Sequence, residues 1–186
     1  MHARRLSLVL ALAALAGGCG SDGDFKGSAG SLSGYSTYKR DGVSIAYPKG
    51  WKVERRQDSD GGSSTRITPP KQSETPFGLI LLSASPDAEK RFKTSMKGRR
   101  AVMKAASDAK IDSDEKIEVP GAKEAHRLKA TVPPKAGTDP VEVKADSLDL
   151  LRDDGDTLTV VAAAPQRDGD DELDPAKVIE SVRLSG

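Results

Sequence analysis

Two runs of this chain are apolar almost throughout and only as long as a strand. Residues 77–84 read FGLILLSA and residues 158–164 read LTVVAAA. Neither alternates apolar with polar positions, so each predicts a strand covered on both faces and placed centrally in a sheet. A sheet covered on both sides needs further layers packed against it, and that requirement constrains the rest of the chain.

The segments around these runs supply the remaining strands. Val43, Ile45 and Tyr47 alternate with Ser44 and Ala46, the period of a half-buried strand. Asp41-Gly42 ahead of them predicts a tight hairpin. Pro48-Lys49-Gly50 turns the chain into Trp51, Val53 and Arg55, and a short strand follows through Ile67. Ile111, Lys116, Ile117 and Val119 predict a strand ending at Pro120-Gly121; His126, Leu128, Ala130 and Val132 share one face of the next. Val143 and Ala145 carry the apolar parity of the following strand, but Leu148 and Leu150 carry the opposite one. Such a change predicts a β-bulge between Asp146 and Leu148. Residues 153–156, DDGD, then turn the chain into the second apolar run.

Two helices complete the pattern. Ser85-Pro86-Asp87 reads as a helix start, with a capping hydroxyl, proline at the first position and an acid in the first turn. The helix is expected to reach about Ala109, with Ala88, Phe92, Met96, Val102, Met103 and Ala106 on one side. Gly98, costing about 1 kcal/mol relative to alanine, predicts a close contact or a bend. Arg99 falls in the apolar sector, where only snorkelling or that bend would accommodate it. Asp174-Pro175 caps a short final helix with Val178, Ile179 and Val182 as its buried stripe. The expected fold is therefore α+β over residues 35–186: an antiparallel sheet flanked by one long and one short C-terminal helix.

The N-terminus reads as an address. His2, Arg4 and Arg5 precede an apolar run from Leu6 to Ala16, followed by Gly17, Gly18 and the chain's one cysteine, Cys19. The run is shorter than the ~20 residues a spanning helix needs, and its basic start and small-residue end are those of a secretory signal. Small residues directly before cysteine resemble the cleavage box of bacterial lipoproteins, although Ala16 stands where that box prefers leucine. The resemblance implies a signal peptide over residues 1–18 and lipid on Cys19, which would hold the protein on the extracytoplasmic face of the cell membrane. Residues 20–34 hold five glycines and four serines, a flexible tether spanning about 20 Å. A lipidated Cys19 leaves no thiol for a disulfide, so stability must come from the core.

GVSIAYPKGW (42–51) and DPAKVIESVRL (174–184) resemble the PsbP-like superfamily and the LpqN-type bacterial lipoproteins. That resemblance implies an antiparallel sheet flanked by helices and a role in protein binding or assembly. The metal-centre role of the plant members is not carried over, because no matching ligand set is present.

Little in the sequence points to catalysis, and the chain is expected not to be an enzyme. His126 is the one histidine beyond the signal segment, and its parity with Leu128 and Ala130 marks it as a core-edge residue. One histidine and one lipidated cysteine make no zinc site, and residues 58–62, DSDGG, lack the glutamate of a calcium loop because Pro69 occupies its position. Neither of the glycine patterns that cradle phosphates is present, so no cofactor or metal is expected. Acid pairs such as Asp153-Asp154 and Asp170-Asp171 read as solvated turns. Loss of Arg4 and Arg5 leaves 27 basic and 28 acidic residues, a balance that speaks against a nucleic-acid partner.

One surface is patterned. Lys90, Lys93, Lys97, Arg100 and Lys104 recur at helical spacing, opposite the apolar stripe. The expectation is a monomeric binding or assembly module of the cell envelope whose basic stripe contacts an anionic envelope component or an acidic protein. The alternative is a small-molecule or lipid carrier with a pocket between sheet and long helix.

Overall fold

The computed structural model describes residues 33–57, 62–70, 78–86, 88–107, 109–134, 141–166 and 173–184, the side chains from 102 to 107 excepted. The signal segment, Cys19, the tether to residue 32, the turn at 58–61 and the acids at 170–172 lie outside the described residues. So do the side chains of Val102, Met103, Lys104 and Ala106.

Among the described residues, ten strands and two helices follow in the order β1 (Tyr35–Arg40), β2 (Val43–Pro48), β3 (Lys52–Gln57), β4 (Ser63–Thr68), β5 (Leu79–Ser85), α1 (Glu89–Ser107), β6 (Lys110–Ile117), β7 (Ala122–Val132), β8 (Val143–Arg152), β9 (Thr157–Pro165), α2 (Pro175–Glu180) and β10 (Arg183–Leu184). The class is α+β, with antiparallel pairing throughout. The strands form two sheets rather than the one expected: β1-β2-β10, and β3-β4-β5-β9-β8-β7-β6.

Local chemistry sets the turns. Asp41 (φ 50°) and Gly42 (φ 69°) both take left-handed backbone, the pair of conformations a two-residue hairpin uses. The side chain of Asp41 is held by Arg55 Nη2 at 2.8 Å and Ser63 Oγ at 3.0 Å. Gly78 serves a different purpose: a Cβ there would lie 2.1 Å from the ring of Trp51, so the missing side chain makes room for the buried indole. Asp174 caps α2, its carboxylate accepting from the backbone N–H groups of Ala176 and Lys177.

The main core lies between one face of the large sheet and the small sheet with α2. Ile45, Ile67, Ile80, Leu148, Leu150, Val160 and Val178 are each at most 1% exposed within it. The opposite face carries α1, whose Phe92 and Met96 pack on Leu151 in a separate, smaller cluster. Burying a side chain of this size is worth about 1.5–3 kcal/mol, so Phe92 and Met96 together give α1 about 3–6 kcal/mol of apolar attachment.

This layering corrects several expectations. Register across β8 is unbroken from Val143 to Leu151 against β9, so no bulge lies between Asp146 and Leu148. The shifts fall instead between Ile111 and Ser113 and between Ala122 and Glu124. The apolar parity changes along β8 because both its faces are covered: Asp146, Leu148 and Leu150 look toward the main core, Ser147, Asp149 and Leu151 toward α1. Ser44 and Ala46 of β2 are buried along with their alternating neighbours, because β2 is the middle strand of the small sheet, with α2 packed nearby. Ser85 ends β5 and α1 begins at Glu89, later than the capping pattern suggests. A Cβ at Gly98 would meet nothing within 4 Å, so that glycine marks no close contact.

Candidate functional site: the outer face of the long helix

α1 crosses the large sheet with its apolar side inward, which turns Lys90, Lys93 and Lys97 to solvent. None of the three has an ion-pair partner among the described residues. Arg100, expected on the same outward stripe, instead reaches the sheet and pairs with Asp114 of β6, its side chain 28% exposed. It is a fastener of the helix more than part of a free face. The side chain of Lys104 lies outside the described residues.

Ion pairs pin the helix to the sheet. Glu89 pairs with Lys123 at 2.5 Å near the N-terminal end. Arg99, the misfit of the apolar sector, pairs with Asp149 of β8 and donates to Thr159 Oγ1 at 3.1 Å. Thr159 in turn donates to Asp149 at 2.8 Å. Burial pushes the Asp149 carboxyl above the usual range, against the opposing pull of Arg99 and the Thr159 hydrogen bond. A second buried pair secures the other face: Arg127 grips Asp146 in two-pronged fashion, at 3.1 and 2.7 Å, and reaches Glu180 of α2 at 3.3 Å. Burial likewise raises the Asp146 carboxyl, opposed by Arg127.

These two pairs were not identified from sequence. The available signal was an acid at a buried parity of an otherwise apolar strand, and for Arg99 a cation in an apolar sector. Partner identity required the fold, because the pairs join residues 50 and 19 apart in the chain.

His126 lies at the edge between sheet and helix. Its Nε2 is 3.0 Å from Glu124 Oε1 and its ring is tilted against Phe92 at 6.3 Å between centroids. That hydrogen bond, with Lys116 nearby, holds the Glu124 carboxyl below its usual range. The histidine is thus occupied in a structural pair. The space between α1 and the sheet, bordered by Met96, Arg99, His126, Leu128, Ser147 and Asp149, encloses about 10 Å³, near the lower limit for a single water. Among the described residues no group of three or more histidine, cysteine or acidic side chains could hold a metal ion, and no helix is long and apolar enough to cross a membrane.

No protein-family model matches the chain, and no curated protein matches it. Several solved structures do. One is PA94, a Pseudomonas aeruginosa protein of unknown function, at 11% identity over 70% of this chain and 82% of that one, TM-score 0.40. A second, from Bacteroides thetaiotaomicron, is 13% identical over 78% of this chain and 46% of its own length, TM-score 0.44. A third is the Saccharomyces cerevisiae Ran-binding protein Mog1p, 9% identical over 81% of this chain and 95% of that one, TM-score 0.46. At these identities and scores the similarities carry no functional argument.

Proposed function

We propose that this chain is a lipid-anchored extracytoplasmic lipoprotein with a PsbP-like domain of the LpqN type, serving as a binding or assembly module at an anionic surface of the cell envelope. Cys19 is the attachment point and residues 20–34 are the tether. The contact is the outer face of α1, carried by Lys90, Lys93 and Lys97. One observation supports this reading above the others: three lysines point outward without ion-pair partners among the described residues, on a helix that uses Glu89, Arg99 and Arg100 to fasten itself to the sheet. The anchor keeps that face within reach of lipid headgroups or wall polymers. Each lysine near such a surface is worth about 1 kcal/mol, so three would favour the bound state by about 3 kcal/mol at low salt. The carrier alternative draws no support from the narrow space under α1.

Two measurements test the reading. Metabolic labelling with an alkynyl fatty acid should mark the protein and fail to mark Cys19→Ala. Co-sedimentation of Cys19→Ala with anionic vesicles should exceed that with zwitterionic ones, fall with salt, and be abolished in Lys90→Glu/Lys93→Glu/Lys97→Glu. Equal sedimentation of parent and triple variant would remove α1 from the contact.

A further inference from the structure

The large sheet ends in two edge strands of different character. β6 interrupts its ladder with a register shift between Ile111 and Ser113, a device that discourages further pairing. β3 keeps unbroken register with β4 from Lys52 to Gln57, contains no proline, and has no strand on its outer side among the described residues. Alternate residues of such an edge direct their backbone N–H and C=O groups away from the sheet. β3 also carries Val53, 37% exposed and the one exposed large apolar side chain among the described residues.

Charge decides what this edge accepts. Lys52, Glu54 and Arg56 share one face of β3 and lie beside Arg66, which is directly across from Glu54 on β4. The Lys52–Glu54 ion pair uses the single acid of the strand, and Arg56 and Arg66 on that face form no ion pair among the described residues. Net charge weighs against a second copy: β3 carries Lys52, Arg55 and Arg56 against the one acid Glu54, so self-pairing sets two net-positive strands side by side, and like charges placed together destabilise a strand pair.

We infer that β3 is a strand-addition site for an extended acidic peptide segment, with acids opposite Lys52 and Arg56 and an apolar residue opposite Val53. Main-chain hydrogen bonds supply the attachment, and the two flanking cations with Val53 supply the selection. The site is separate from the outer face of α1 and stands whether or not that helix meets an anionic surface.

The test uses the isotope-labelled full chain and the peptide acetyl-SETTVES-amide, whose two glutamates face Arg56 and Lys52 when it aligns antiparallel. Saturable amide shifts on β3 and β4 are expected. Affinity should drop at least about tenfold, equivalent to about 1.4 kcal/mol, for the peptide with both glutamates changed to lysine. It should drop equally for a peptide N-methylated at alternate positions, which keeps its charge and loses its backbone donors. Lys52→Glu/Arg56→Glu should reverse the preference between the two charged peptides. Proline at an edge is tolerated where the N–H faces outward, so whichever of Val53→Pro and Glu54→Pro stays folded should bind no peptide. Shifts outside β3 and β4, undiminished binding of the N-methylated peptide, or no saturable shift at all would overturn the inference.

Discussion

Replacing Arg99 with methionine isolates the question of what holds α1 to the sheet. The substitution keeps most of the apolar stem and removes the cation from Asp149, whose side chain is 9% exposed, while Arg99 itself is 18% exposed. Breaking a buried pair by deleting one partner costs about 3–5 kcal/mol, because the remaining charge is stranded. In a domain of this size that corresponds to a drop in Tm of about 6–20 °C. The pH dependence follows from the raised Asp149 carboxyl. A carboxyl whose folded pKa lies above its unfolded value stabilises the fold while protonated, and that contribution is lost as pH rises through the folded pKa. Without Arg99 the folded pKa climbs further. The deficit of Arg99→Met against the parent should therefore be full at neutral pH and should shrink on acidification, as the stranded carboxylate becomes a neutral acid. Urea denaturation followed by the buried Trp51, the only tryptophan, reports both. Arg99→Met/Asp149→Leu should recover most of the loss at neutral pH, since an apolar pair of similar volume replaces an ion pair at little cost. A deficit under about 1 kcal/mol, or one that does not change with pH, would refute this account of the helix attachment.

Arg127→Ala strands Asp146, 5% exposed, and also removes the tie to Glu180; a loss of about 3–5 kcal/mol is expected, with faster hydrogen exchange in α2. Gly78→Ala forces the Trp51 ring aside and should cost about 1–3 kcal/mol, with a red shift of the tryptophan emission. Gly42→Ala places a Cβ 2.7 Å from the Arg152 guanidinium at φ 69°. It should cost about 1–2 kcal/mol for the left-handed backbone alone, measured as a lower urea midpoint.

What the sequence disclosed depends on how far each determinant reaches. The Asp41-Gly42 hairpin, the glycine turn at 155 and the Asp174 cap were legible because a few adjacent residues decide them. The covered strands β5 and β9 were legible from composition, since an apolar run implies layers on both sides. The split into two sheets was not, because β10 is two residues that pair with β2 across nearly the whole domain. Asp146 misled the parity reading of β8, because its burial rests on Arg127 in the neighbouring strand. At the candidate site, spacing located Lys90, Lys93 and Lys97 correctly on the outer face, whereas Arg100 was diverted by Asp114, a partner that helical periodicity does not reveal.

The central claim, that the outer face of α1 meets an anionic envelope surface, is tested most directly by a photo-reactive residue placed at position 93 in the intact cell. A second placed at Glu180, 63% exposed and on α2 across the large sheet, serves as the control. Cross-linking at position 93 should yield adducts with anionic lipid or wall polymer that diminish when Lys90 and Lys97 are changed to glutamate, while position 180 yields few. Equal adducts at both positions, or adducts at 93 that persist in that variant, would contradict it.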